Sequence, residues 1–135
     1  MKIIRQPKNS SFCGQACVAM IADISLDGSI KLFGTKGVTT TKQVALVLQN
    51  LGFKCENRLK RITKFFKLPI EKIFLFRLIW KNKKGSHWVI WNGDEQRWYD
   101  PANKHYLHKD YWKNSKYMYP TSYLKINEKE LEKVI

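Results

Sequence analysis

The chain has 135 residues, 44% of them hydrophobic, and carries 25 Lys and Arg against 11 Asp and Glu for a formal net charge of +14. That length suits one domain, residues 1–135, which buries roughly two thirds of its unfolded surface, and excludes two. No apolar run approaches the ~18 residues needed to span a bilayer, and residues 1–6 lack the apolar stretch and cleavage site of a signal peptide, so a soluble, cytoplasmic protein with no transmembrane segment is expected.

In chain order, Ala16, Cys17, Met20, Ile21 and Ile24 form one face of a helix that begins near Ser11 or Cys13. Asp27-Gly28, Gly34 and Gly37 mark a loop. Thr39, Thr40 and Thr41 then offer N-caps for a second helix carrying Val44, Leu46, Val47, Leu48 and Leu51 and stopped by Gly52. Residues 53–59 read as a short strand, 62–68 as a brief helix or turn ended by Pro69, and 73–80 as a central strand rich in aromatic and branched residues. A basic loop over 82–86 leads into a hairpin in which 87–91 and 96–100 flank the turn signal Asn92-Gly93-Asp94-Glu95. Beyond Pro101 aromatics are dense, with a closing strand over 122–126 and a short charged helix over 127–134 capped by Asn127. The pattern is α+β, with a helical amino-terminal part and a carboxy-terminal antiparallel sheet.

Charge is uneven along the chain. Residues 54–84 hold eleven Lys or Arg against Glu56 and Glu71, or +9 of the total. A basic patch of this kind points to an anionic partner such as nucleic acid, an acidic peptide or a membrane surface. Lys outnumbers Arg by 20 to 5, which reads as a solvated face more than as phosphate or base recognition, where the Arg fork is favoured.

The residues with chemistry to offer are Gln6, Cys13, His87 and Asp100. Three cysteines, Cys13, Cys17 and Cys55, are too few and odd in number for a disulfide framework, and with His87, His105 and His108 they show no spacing that completes a tetrahedral metal site. No metal or cofactor is called for. At the amino end of a helix, unpaired N–H groups and the macrodipole depress the Cys13 thiol pKa, whereas Cys17, one turn in, faces the core. In the hairpin, a two-residue loop at either Gly93-Asp94 or Asn92-Gly93 sets His87 directly opposite or diagonal to Asp100 on one face; a three-residue loop would separate them. A thiol becomes a good nucleophile beside an imidazole that a third group orients, with a donor for the oxyanion, and the chain offers one residue for each role.

Gln6, the run Cys13-Gly14-Gln15-Ala16-Cys17-Val18-Ala19-Met20, the helix ending Leu51-Gly52-Phe53, His87-Trp88-Val89-Ile90 and Asp100-Pro101 together resemble the papain-like cysteine peptidases over residues 6–103. The likeness is closest to the double-glycine leader peptidases, which process bacteriocin precursors and often precede an ABC transporter. The resemblance implies a papain-like fold with Cys13 as nucleophile, His87 as general base and acid, Asp100 orienting the imidazole and Gln6 contributing to an oxyanion hole. It also implies a peptide substrate held near Trp88, Gly14 and Ser86, with small residues such as glycine beside the cut and a transporter as possible partner. Gln6 precedes Cys13 by seven residues where papain-like enzymes usually have six, which calls for a bulge between them or a different donor.

Two readings stay open at this stage. One is a cysteine endopeptidase whose basic segment and aromatics bind an extended, acidic peptide. The other is a catalytically idle or non-proteolytic module, an amidase or acyl transferase among them, or one that binds nucleic acid or an acidic protein through its basic face.

Overall fold

The computed structural model describes residues 1–35, 37–82 and 85–127. Helix α1, Cys13–Ala22, turns out of its last turn at Asp23, which sits in the left-handed region at φ 55°. Helix α2, Leu26–Phe33, occupies the stretch expected to be a loop: the Ser25 side chain accepts from the Gly28 N–H at 3.0 Å, and Gly34 at φ 67° closes the helix. Gly28 is therefore tolerated in the first turn, where the cap uses its N–H, and the loop signal was a helix start. Helix α3, Thr41–Asn50, opens on a capping box between Thr40 and Gln43. It closes on a Schellman motif, with the Gly52 N–H on the Gln49 carbonyl at 2.9 Å and the Phe53 N–H on the Leu48 carbonyl at 3.0 Å.

Among the described residues six strands follow: β1 Lys60–Arg61, β2 Ile73–Trp80, β3 Ser86–Asn92, β4 Arg97–Tyr99, β5 Leu107–His108 and β6 Met118–Ile126. They form one antiparallel sheet in the order β1-β6-β2-β3-β4-β5, with β2 central as expected. Residues 53–59 are not a strand. The Gln49 side-chain amide takes the Cys55 carbonyl at 2.7 Å and Asn57 Oδ1 at 2.9 Å, so a helix holds that backbone and only Lys54 bridges to Asn127. The closing strand starts at Met118, before the expected 122, and accommodates Pro120 at a register shift against Arg77 and Leu78. Ser86 belongs to β3 and not to the basic loop. Of the expected terminal helix only Asn127 falls within the described residues, and it pairs with Lys54.

Both faces of the sheet are covered. Leu75, Trp88, Ile90 and Tyr99 meet Cys17, Val18, Val44 and Leu48 of α1 and α3 in one cluster. On the other face Phe76, Trp91, Trp98 and Trp112 form a second, in which Trp98 lies 5.0 Å centroid to centroid from both Phe76 and Trp91. Trp112 arrives there on a 3-10 turn, Tyr111–Asn114. Among the described residues no helix is long and apolar enough to cross a membrane.

The second cluster sets a stability test. Phe76 is fully buried against the rings of Phe66, Trp98 and Tyr123, so Phe76→Ala is expected to cost about 3–5 kcal/mol in urea denaturation. Phe65 is 80% exposed on the neighbouring turn, and Phe65→Ala is expected to stay within about 0.5 kcal/mol of the parent.

Candidate active site

Cys13 is the first residue of α1, and Phe12 before it provides no side-chain cap. The first N–H groups of the helix are thus left to whatever negative charge lies at its end. The Gly14 N–H bonds the Cys13 sulfur, as does the Trp88 N–H from β3, and the side chain of His87 hydrogen-bonds the same thiol. Burial raises the Cys13 pKa. The hydrogen bond and charge of His87, helped by the Trp88 and Gly14 N–H groups, outweigh it, and the pKa ends below the ordinary thiol value.

His87 and Asp100 meet because of the hairpin register. Strands β3 and β4 pair as Ile90↔Tyr99, Trp91↔Trp98 and Asn92↔Arg97, so the loop is the four residues 93–96 and neither of the two-residue loops expected. Asn92 Oδ1 accepts from the Glu95 N–H at 3.0 Å, the Gly93 N–H bonds the Lys72 carbonyl at 2.8 Å, and Gln96 takes φ 58°, which together lengthen the turn. An even loop preserves the side-chain parity. Continued past Tyr99, the register sets Ala102 across from His87 and Asp100 diagonal to it, on the same face.

The outcome is a 2.6 Å contact between His87 Nε2 and Asp100 Oδ1, with the two side chains 11% and 2% exposed. That use of Nε2 leaves Nδ1 for the thiol. The Ala102 N–H donates to Asp100 Oδ1 at 2.8 Å and the Asn103 side chain to Oδ2 at 3.1 Å, so the turn after β4 fixes both carboxylate oxygens. Burial lowers the His87 pKa. The hydrogen bonds and charges of Asp100 and Cys13 overcome that and push it up to about 9.

A cavity of about 440 Å³ opens over this group and is lined by Gln6, Cys13 and His87 together with Trp88 and Ser86. The segment between Gln6 and Cys13 makes a turn, with the Ser10 N–H on the Pro7 carbonyl at 3.1 Å and Asn9 at φ 60°. Gln6 is held from two sides: its N–H donates to the Pro101 carbonyl at 2.9 Å, and its Nε2 donates to the Ser10 carbonyl at 2.9 Å. One amide hydrogen remains for an oxyanion. Gly14 does not line the cavity. It packs beneath Thr39, whose Oγ1 would collide with any Cβ at position 14.

Other residues of the site carried weaker signals. Gln15, fully buried, donates to the Gly37 carbonyl at 2.9 Å and so ties the loop leading to Thr39 onto α1. The Ala102 N–H, two residues past Asp100, closes an Asx turn on its side chain, and Asn103, next in line, adds its side-chain amide. Among the described residues no Lys or Arg lines the cavity, while Lys54, Arg58 and Lys60 line a separate groove with Lys125. Among the described residues no three His, Cys, Asp or Glu side chains are grouped to hold a metal ion. No protein-family model matches the chain, and no curated protein matches it in sequence.

The Gly14 contact is testable. Gly14→Ala gains up to about 1 kcal/mol of helix propensity, but overpacking against Thr39 costs about 1–3 kcal/mol. Net destabilisation in denaturant is expected, and Gly14→Ala combined with Thr39→Ala should recover it.

Proposed function

We propose that the protein is a thiol hydrolase of papain-like fold, a cysteine endopeptidase that cleaves a peptide bond through Cys13, His87 and Asp100. The observation that carries this reading is the chain of contacts from the Cys13 thiol to His87 and from His87 Nε2 to Asp100 at 2.6 Å, inside a cavity that Gln6 also lines. The resemblance to double-glycine leader peptidases supports a peptide substrate with small residues beside the cut, and a transporter as partner is part of the same proposal.

The contacts among Cys13, His87 and Asp100 support the following step. The Cys13 thiolate attacks the substrate carbonyl, and a C–S bond forms as the carbonyl oxygen gains charge. The Gln6 amide and the N–H groups at the start of α1 receive that charge, with an oxyanion donor worth on the order of 2.7–4 kcal/mol of barrier by analogy with a serine protease. The C–N bond then breaks while the His87 imidazolium protonates the leaving amine. Neutral His87 next takes a proton from water, hydroxide attacks the thioester, and the acid leaves as thiolate and imidazolium are restored.

The pKa directions set the pH window. Below the lowered Cys13 pKa the sulfur is protonated and attack stops; above about 9 His87 has lost the proton the amine needs. Hydrolysis of a fluorogenic peptide library is therefore expected to fall above pH 9, while alkylation of Cys13 by iodoacetamide persists there, since thiolate remains. At pH 6–7 Cys13 should alkylate faster than Cys17 and Cys55, whose pKa values are raised, first of all by burial. His87→Ala should slow Cys13 by about tenfold for each unit its pKa returns towards ~8.5. Equal reactivity of the three cysteines at pH 6, or no effect of His87→Ala, would leave an idle module whose basic groove at Arg58, Lys60 and Lys125 is its working surface.

A further inference from the structure

Phe65 and Ile70 are each 80% exposed, the most exposed of the large hydrophobic side chains among the described residues. Single apolar residues on a surface are ordinary, but these two share one short segment with a concentrated charge. Residues 58–72 hold Arg58, Lys60, Arg61, Lys64, Lys67 and Lys72 against Glu71 alone, and all six cations are exposed. Among the described residues none of the six makes an ion pair.

The fold holds this segment in place. Lys60 pairs with Tyr123 and Arg61 with Ser122 at the edge of the sheet, a turn closes with the Phe66 N–H on the Thr63 carbonyl at 3.0 Å, and the Pro69 carbonyl accepts from Trp91 Nε1 at 2.8 Å. Ile62, Phe66 and Leu68 pack inward on the second hydrophobic cluster, with the Phe66 ring 5.0 Å from that of Tyr123. Phe65 and Ile70 therefore project outward from a segment whose inner side is anchored to the sheet, and the free cations surround them in sequence.

A partner for this surface must be anionic and must receive apolar side chains that protrude instead of lining a hollow. Nucleic acid meets the first condition, but it stacks bases on open aromatic faces and favours the Arg fork at phosphates. Here Lys64 Nζ stands 4.9 Å from the centre of the Phe65 ring, Ile70 has no face to stack, and four of the six cations are Lys. A folded protein would need a preformed pocket for each protruding side chain. A bilayer needs none: its headgroup layer opens around an inserted side chain, while neighbouring lysines lay their stems in the apolar region and keep their ammonium groups at the lipid phosphates. Six clustered cations also fall in the range at which attraction to anionic lipid becomes strong, each contributing about fivefold in partitioning. We propose that residues 58–72 are a docking surface for an anionic lipid membrane, with Phe65 and Ile70 entering the headgroup layer and the surrounding Lys and Arg contacting lipid phosphates. The chain then lies on the bilayer, and no helix among the described residues has to cross it.

Co-sedimentation with two vesicle preparations tests this: phosphatidylcholine alone, and equal parts of phosphatidylcholine and phosphatidylglycerol. The parent protein is expected to bind the second and not the first, and to be released as salt rises. Phe65→Ala combined with Ile70→Ala should lower partitioning into the anionic vesicles at least about tenfold, and Lys64→Gln combined with Lys67→Gln about 25-fold, fivefold for each charge. Both double variants replace exposed side chains, so the melting temperature should stay at the parent value; where the apolar double variant melts lower, Phe65→Ala alone carries the same test. A single-stranded oligothymidylate should bind the apolar double variant as it binds the parent. Failure of the parent to bind anionic vesicles overturns the proposal. Vesicle binding that survives the loss of Phe65 and Ile70 also overturns it, in favour of a polyanion surface held by charge alone, and oligothymidylate binding that falls in that variant while vesicle binding does not assigns the surface to nucleic acid. None of these readouts involves thiol chemistry, so the docking surface stands or falls independently of whether Cys13 acts as a nucleophile.

Discussion

Everything at the site depends on the 2.6 Å bond between His87 and Asp100, made where both side chains are almost out of water. For Cys13 and for His87 alike the largest single influence is burial, and it opposes charge on each. The net directions are nevertheless those of a charged pair, because partners surround both groups. Remove the carboxylate and the same burial would favour neutral thiol and neutral imidazole. Asp100 is itself held in place: Ala102 and Asn103 bond its two oxygens, and the next residue, Pro101, accepts from the Gln6 backbone. One turn therefore places both the Asp100 carboxylate and the amino-terminal segment that carries Gln6.

Trp88 shows how the protein tells two nearby thiols apart. Its backbone N–H faces the Cys13 sulfur, while its carbonyl accepts from Cys17 Sγ at 3.4 Å. An N–H favours thiolate and a carbonyl favours thiol, so successive groups of one peptide chain push the two cysteines in opposite directions. Cys17 is also fully buried among Val18, Val44 and Ile90, where burial first and then the nearby charges of Cys13 and Asp100 raise its pKa. Its raised pKa comes from position and not from chemistry of its own. The indole of Trp88 meanwhile packs in the core and lines the cavity, which couples the wall of the site to the sheet.

The elements read most easily from the sequence were those whose signals are local. Helix α1 and the cap of α3 follow from side-chain period and capping chemistry, and β2 from its run of aromatic and branched residues. The pairing of His87 with Asp100 was legible for a subtler reason: the loop is four residues where two were expected, but any even loop keeps the two on one face. Helix α2 was missed because Asp27-Gly28 reads as a turn unless Ser25 is recognised as its cap. Residues 53–59 failed as a strand because Gln49, from a helix, takes their backbone. Thr39 was beyond reach for the same kind of reason: three threonines looked equivalent, and only the fold decides that Thr40 caps while Thr39 meets Gly14.

Among the described residues no Lys or Arg lines the cavity over Cys13 and His87. If the net charge of +14 tuned the nucleophile, its carriers would have to stand within or beside the cavity, since at physiological ionic strength charges are screened over about 8 Å. The described lining holds none, and the causes of the Cys13 and His87 shifts are local: burial first, then each other, Asp100, and two backbone N–H groups. The basic residues at Arg58, Lys60 and Lys125 instead share a groove at the β1–β6 end of the sheet, whereas the cavity stands at the start of β3 and of α1. Basicity can therefore set what the molecule approaches and how fast, by long-range attraction, without altering how Cys13 is ionised.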